Sequence, residues 1–410
     1  MKKKILIFQS GEPIHLDKSP LPMRLINLTD ILLKYGYQIE ILTTRFSHQE
    51  KKFRNREILS KNNQGNIKYT LLESTGYKKN ISLKRLYDHL ILAKNLRKKL
   101  KEIKNIDYVF MGYPPIEACF ILARWCLNRR IPYIVDYKDL WPELFMHNKN
   151  SLIKILLFPI IFSLKILRNF ILKNSSGISI ISNSFLDSLK LENIKQKKIT
   201  CYLTKKKSFN VDTANIRNDI LLKFPSKKIK IVFIGNFMTD AFDFKVLKKI
   251  KNFIEKSQLL EFYFFGSGPS KKKVEENLNF KNINIGDRVN FSEFQYIMGN
   301  SQAVFLPINN RFDYLKSIPN KIVDAINYKL PIFTSLGGEA KSLIEKFEIG
   351  FFYKNHETLL QNLVWFCDNK NHKLFKKNYD NSELQTLFDH DSNYKKILNK
   401  IEFDLNNRMR

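Results

Sequence analysis

The chain has 410 residues and a mass of 48.6 kDa, more than one hydrophobic core comfortably holds, so two domains are expected. Its 44% hydrophobic and 27% charged residues, with only 14 Gly and 13 Pro, exclude a disordered, collagen-like or low-complexity chain. The net charge is +31, and it is uneven: residues 1–207 carry +23 and residues 208–410 carry +8.

The amino end, Met1-Lys-Lys-Lys, runs straight into Ile5-Leu-Ile-Phe8, an apolar run too short for a signal peptide. Lys4–Phe8 reads instead as a strand buried on both faces. From Arg24 to Tyr35, Leu25, Leu28, Leu32 and Tyr35 share one helical face, and Gly36 stands where a helix ends. Gln38–Thr43 follows as a strand, which makes a βαβ unit and calls for a parallel sheet. Residues 51–66 are polar with weak periodicity and read as a loop or surface helix. Strands are expected at Asp107–Met111, Tyr133–Asp136 and Gly177–Ser182, and helices at Ile116–Asn128 and Ser184–Lys190.

The stretch Leu152–Leu172 is intensely apolar yet contains Lys154, Lys165 and Arg168, with Pro159 inside. A membrane span wants about 20 apolar residues with few charges. A helix lying in the membrane interface, its basic side chains reaching phosphate headgroups, fits this pattern better; a helix buried between domains is the alternative. The charge asymmetry favours the interface, because anionic lipid attracts clustered Lys and Arg. A Lys-, Asn- and Ile-rich composition, as in an AT-rich genome, accounts for much of the total charge but less well for its distribution.

The polar stretch 204–226 reads as a linker between an amino-terminal domain, 1–203, and a carboxyl-terminal one, 227–380. In the second domain the pattern restarts. Lys228–Ile234 is a strand ending at Gly235, and Phe244–Ile254 a basic amphipathic helix. Glu261–Phe265 is a strand ending in Gly266-Ser-Gly-Pro269. Ala303–Leu306 and Pro331–Thr334 are strands flanking a helix from about Pro319 to Tyr328. A last helical stretch, near Ser382–Asn406 within a tail 381–410, can pack back on the first domain. Two consecutive βα series predict an α/β protein of two Rossmann-like doubly wound domains. The four cysteines form no CxxC pair, which argues against a disulfide framework and fits a reducing cytoplasm.

Three groups of residues carry candidate chemistry. Gly235-Asn236 and Gly266–Gly268 follow strands, where bare backbone lets N–H groups approach a phosphate. Neither is GxGxxG, and there is no GxxxxGK[ST], so redox dinucleotides and P-loop hydrolysis find no support. In Ser317-Ile-Pro319-Asn320-Lys321-Ile-Val-Asp324, Pro319 suits a helix start and Lys321 then joins the helix dipole in holding a diphosphate. Asp324, one turn on, reaches ribose or sugar hydroxyls. In Asp136-Tyr-Lys-Asp139-Leu-Trp141-Pro-Glu143, two carboxylates flank an aromatic on a strand-end loop, a setting for a general base with Trp141 as a stacking face. Tyr113-Pro114 and His15 lie on two further strand-end loops, and His15 is a candidate base. The bland readings are tight turns, an ordinary amphipathic helix, a buried Trp and a surface His.

Together these pieces resemble glycosyltransferase family 4, of GT-B fold, and most of all its bacterial O-antigen and capsule enzymes. The likeness rests on Pro22-Met-Arg24 through Gly36, Asp107–Pro115 with the DLWPE motif ending at Glu143, Gly235-Asn236 with Phe265–Pro269, and Ser317–Pro331. The resemblance implies two domains facing across a cleft and a metal-independent, retaining sugar transfer from a nucleotide-sugar, UDP-linked by preference and GDP-linked as an option. The acceptor it implies is a saccharide on polyprenyl diphosphate, and the location is the inner face of a bacterial cytoplasmic membrane, peripherally bound to anionic lipid. It implies donor contacts from Gly235, Asn236, Gly266, Gly268, Ser317, Pro319, Asn320, Lys321 and Asp324, with Asp139 or Glu143 near the acceptor and Arg24, Tyr113, Pro114 and Trp141 around it. No cofactor and no metal are called for. Lys316 stands where the family has a glutamate eight residues before its ribose-binding glutamate, Asp324 replaces the latter, and the family's Arg…Lys-Gly pair after the first strand of the second domain is absent, with Arg311 as a substitute. A catalytically inactive scaffold is therefore a second reading. A nucleic-acid binder is the third, suggested only by charge, since no aromatic-basic module is present.

Overall fold

Hydrophobic strands alternating with helices build two separate parallel sheets in the computed structural model, which describes residues 2–17, 23–58, 65–78, 82–146, 150–185, 194–204, 213–224, 227–368 and 374–408. One unit comprises Met1–Leu203 with His390–Arg410, the other Thr204–Asp389.

In unit 1 the strands are Lys4–Phe8 (β1), Gln38–Thr44 (β2), Phe46–Ser47 (β3), Lys52–Phe53 (β4), Ile67–Leu72 (β5), Tyr108–Tyr113 (β6), Tyr133–Tyr137 (β7), Gly177–Ile180 (β8) and Lys197–Thr200 (β9). Seven of them form a parallel sheet of order β5-β2-β1-β6-β7-β8-β9; β3 and β4 pair as a small antiparallel hairpin. The central strands are buried along nearly all of their length because both faces are covered, as in parallel sheets generally. The helices are Arg24–Lys34 (α1), Leu83–Lys99 (α2), Ile116–Asn128 (α3) and Ser151–Lys173 (α4). Gly36, at φ +83, closes α1 with its N–H on the Leu33 carbonyl. In α4, Ile161, Leu164, Arg168, Ile171 and Leu172 are buried at helical spacing, whereas no side chain from Ser151 to Ile160 is. By length and composition α4 is apolar enough to cross a membrane.

Unit 2 carries Ile229–Ile234 (β10), Leu260–Phe265 (β11), Ile283–Gly286 (β12), Ala303–Leu306 (β13), Ile332–Thr334 (β14) and Gly350–Phe352 (β15) in a parallel sheet of order β12-β11-β10-β13-β14-β15. Its helices are Asn218–Lys223 (α5), Val246–Lys249 (α6), Lys251–Lys256 (α7), Lys271–Asn277 (α8), Phe291–Gly299 (α9), Phe312–Leu315 (α10), Asn320–Asn327 (α11), Gly338–Lys346 (α12), His356–Cys367 (α13), Leu374–Asn378 (α14) and Ser382–Phe388 (α15). The final helix, His390–Arg408 (α16), returns to unit 1, where Tyr394, Ile397, Leu398, Ile401 and Leu405 enter the same core as Leu25, Leu28 and Leu32 of α1.

Several sequence expectations change. The single helix Phe244–Ile254 is two, α6 and α7, broken at Ile250. The last helix breaks at Asp389, so α15 and α16 belong to different units. Within 204–226, the described part holds a 3-10 turn, Thr213–Asn215, and α5. It is fastened to unit 2 by Arg217, which donates from its backbone N–H and its Nε to Glu293 at 3.2 and 2.8 Å. Of the helix expected at Ser184–Lys190, residues from 186 on lie outside the described ones, as does Pro22.

Candidate functional site

The sheet of unit 2 reverses direction between β10 and β13: the chain leaves β10 through β11 and β12, then comes back to β13, β14 and β15. Open parallel sheets bind ligands beyond the strand carboxyl ends at such a reversal. The loops there are those following Ile234, Phe265, Leu306 and Thr334.

Two glycine loops are laced together at this edge. The Gly235 N–H donates to the Phe265 carbonyl at 2.9 Å, the Phe237 N–H to Ser267 at 2.8 Å, and the Ser270 N–H to Phe237 at 3.1 Å. A β-carbon on Gly266 would strike the Gly235 carbonyl oxygen, and one on Gly268 the backbone of Phe237. A β-carbon on Gly235 would meet the ammonium of Lys321 instead. Lys321 therefore lies directly over bare backbone. Its Nζ also sits 5.4 Å from the Phe233 ring centroid and 5.9 Å from that of Phe242, whose faces favour a cation.

Lys321 is the second residue of α11, whose N-cap is Pro319 at φ −60° and ψ 145°. The first-turn N–H groups, the helix dipole and the ammonium thus converge beside Gly235, the arrangement that stabilises a bound oxyanion. Asn320 and Asn236 are exposed, and Asp324 is 9% exposed on the following turn. Burial, reinforced by Asp324, pushes the Tyr328 phenol up to about 12. Arg311 is held by Asp313, its NH2 group donating at 2.9 Å, and stacks over Tyr314 at 4.4 Å. Ser317 donates from Oγ to the Asp313 carbonyl at 3.1 Å.

Sequence reasoning missed Gly337 and Gly338, which follow β14 as the other glycines follow β10 and β11. Gly338 has φ +63 and its missing β-carbon makes room for the Leu315 carbonyl. The Gly337 N–H donates to Asn310 Oδ1 at 2.8 Å, fixing the loop that carries Arg311 and Ser317. A Gly-Gly pair after an apolar run was the available signal.

In unit 1 the reversal lies between β1 and β6. Arg24, expected near an acceptor, is instead 0% exposed. Its Nε lies 3.2 Å from Asp136 Oδ1, NH2 donates to the Cys201 carbonyl at 2.6 Å and NH1 to Ser179 Oγ at 3.2 Å. Burial alone would lower its pKa, but Asp136 foremost holds it raised. Lys138 joins the same cluster, bonded to Glu12 and 3.5 Å from Asp136. Trp141, expected to offer a stacking face, is 4% exposed, enclosed by Phe145, His89 and the guanidinium of Arg85. Tyr113 is also buried and donates its hydroxyl to the Trp141 carbonyl at 2.7 Å. Arg24, Tyr113 and Trp141 are thus enclosed and hold the loop from within. Pro114 is half-buried.

Of the candidate acids and bases, Asp139 is exposed. Glu143 is bound by Arg168 and lies 3.8 Å from Lys165, both on α4. His15 has Nδ1 2.6 Å from the Tyr69 hydroxyl and Nε2 2.9 Å from Asp30 Oδ1, so both ring nitrogens are engaged.

Known proteins place the fold. Sucrose-phosphate synthase from Thermosynechococcus elongatus superposes with a TM-score of 0.68 at 11% identity, over 97% of this chain and 98% of that one. Anabaena HepE in complex with UDP gives 0.62 at 13% identity, over 98% and 99%. The lipopolysaccharide outer core galactosyltransferase WaaB gives 0.60 at 12%, again over 98% and 99%. The architecture is GT-B: two Rossmann-like α/β domains, each built on a parallel sheet. Protein CapJ of Staphylococcus aureus is 26% identical over 242 residues, 55% of either chain, so the match spans about half of that relative's length. No protein-family model matches the chain.

Proposed function

We propose that the chain is a GT-B glycosyltransferase that moves a sugar from a UDP-sugar to a saccharide carried on polyprenyl diphosphate, during capsule or lipopolysaccharide assembly. The observation that carries this is Lys321: its ammonium rests over Gly235 at the point where the second sheet reverses and α11 begins. A departing UDP needs its diphosphate charge neutralised as the glycosidic bond breaks, and a preorganised ammonium with helix N–H groups supplies that. The proposed transfer retains anomeric configuration and draws its electrostatics from these groups rather than a metal. HepE was solved with UDP and with UDP-glucose, and MnaA of Staphylococcus aureus with UDP, which favours UDP over GDP as the donor nucleotide. The partial likeness to CapJ supports a capsule context.

In this reading Asp324 takes ribose hydroxyls and the exposed Asp139 lies among the acceptor-side groups. The apolar half of α4 and the strongly basic first unit hold the enzyme peripherally on the inner face of the cytoplasmic membrane. The test is a thermal-shift titration with UDP and GDP, followed by UDP-sugar hydrolysis. UDP stabilises the protein, GDP does so less, and Lys321→Ala removes the UDP shift; a shift that survives Lys321→Ala would overturn the assignment. A catalytically inactive scaffold is kept as a second reading by Lys316, a cation where the resembling family has a glutamate. Saturable UDP binding without turnover of any UDP-sugar would select it.

A further inference from the structure

We propose that His48, Lys51 and Arg85, arrayed around Tyr77 and Trp141 in unit 1, form a site for the phosphate-bearing end of a lipid diphosphate. The elements explain the convergence. His48 and Lys51 lie in the turn between β3 and β4, the hairpin that follows β2; Tyr77 follows β5, Trp141 follows β7, and Arg85 lies in the first turn of α2. All five therefore belong to segments that leave the carboxyl ends of the strands or enter the helix after them, the side on which such sheets bind ligands.

Lys51 Nζ lies 4.6 Å from the Tyr77 ring centroid, and the Arg85 guanidinium carbon 5.2 Å from the same centroid. Arg85 also covers Trp141 at 4.5 Å. His48 Nδ1 is 2.5 Å from the Tyr77 hydroxyl and 3.3 Å from Lys51 Nζ. Two cations thus share one aromatic floor with an imidazole between them. Burial, and then the proximity of Arg85, pull the Lys51 ammonium down to about 8. Burial, with Lys51 and Arg85, pushes His48 down to about 3, which leaves its ring neutral at neutral pH. The carboxylates nearby are Asp139, which acts on Tyr77, and Asp88, which accepts from the Gly76 N–H and from Thr75 Oγ1. An anion with several oxygens would engage both cations and relieve their mutual repulsion.

The lipid source follows from the neighbouring helix. Trp141 and Glu143 share a loop, and Glu143 is bound by Arg168 of α4. The preceding turns of α4 show Leu152 74%, Leu156 76% and Phe158 58% exposed. An anionic head beside an apolar helix suits a molecule that has both a phosphate and a hydrocarbon chain. This deepens the proposed function, resting on it only for the identity of the acceptor lipid.

The experiment measures retention of the full-length protein on phosphatidylcholine vesicles that contain either polyprenyl diphosphate or phosphatidylglycerol at equal surface charge, with UDP thermal shift as a parallel readout. The diphosphate vesicles retain the wild type more strongly. Lys51→Ala and Arg85→Gln each weaken that retention by roughly tenfold, about one charge-assisted hydrogen bond, while the UDP shift persists. Arg85→Lys recovers part of the loss, which separates charge from folding. Equal retention on both vesicle types, or of wild type and variants alike, would overturn the proposal. So would inorganic pyrophosphate that binds in solution as tightly as the vesicle lipid, because the source would then be a free phosphate. Loss of UDP binding with lipid retention intact would sink the donor assignment and leave this site standing.

Discussion

At Gly266 the backbone passes so close to the Gly235 carbonyl that not even a methyl group fits, and the obstacle is main chain that cannot rotate away. At Gly235 the obstacle is the tip of a flexible lysine. The two glycines therefore have separable roles. Gly266→Ala is expected to cost unit 2 about 1–3 kcal/mol by overpacking, read as a lowered urea midpoint. Gly235→Ala also costs stability, because at φ +158° an L side chain is strained, but it alone displaces the Lys321 ammonium, so UDP affinity falls further than in Gly266→Ala. If the two variants bind UDP equally well, Lys321 is not seated on Gly235. The buried Arg24 shows the opposite use of a cation. With Asp136, Lys138 and Glu12 around it, it acts as an internal brace whose loss would strand a buried carboxylate.

Among the elements, α4 is divided along its length. Its second half is anchored by Ile161, Leu164, Ile171 and Leu172, while its first half shows apolar side chains to solvent. Replacing Leu152, Leu156 and Phe158 together by serine is expected to leave the melting temperature nearly unchanged, since none of them is buried. Flotation with anionic vesicles should nonetheless be lost; flotation equal to wild type would refute membrane docking through α4. The same helix was readable in the sequence because its composition is extreme. So were the central strands β1, β6, β7, β10 and β11, whose covered faces leave short apolar runs. Besides the short hairpin β3–β4, the strands missed were β5, β9, β12 and β15, each the outermost of its sheet, where Lys-Lys-Ile-Thr or Ile-Asn-Ile-Gly carries too little pattern. α2 escaped because its basic face blurs the apolar stripe. Within the candidate site, the placement of Lys321 at a helix start and of Gly235 at a strand end was legible, because a short stretch of sequence sets each. Burial of Arg24, Tyr113 and Trp141 was not, because enclosure depends on partners such as Cys201 and Arg85 that lie far away in the chain.

At the scale of the whole molecule, α16 unites with unit 1 although all of unit 2 separates it from Leu203 in the chain. Five of its apolar side chains, Tyr394, Ile397, Leu398, Ile401 and Leu405, are buried. At about 1.5–3 kcal/mol each they contribute on the order of 10 kcal/mol, comparable to the entire stability of a typical domain. Truncation after Asp389 is therefore expected to unfold or aggregate unit 1, seen as loss of its cooperative melting transition, whereas residues 204–389 expressed alone fold and keep the UDP shift. An unchanged two-unit melting profile in the truncated protein would contradict this. During synthesis on a ribosome, the part of unit 1 that precedes unit 2 must wait with part of its interior uncovered until α16 arrives. The portion made second can finish first, so the order of maturation runs against the order of translation.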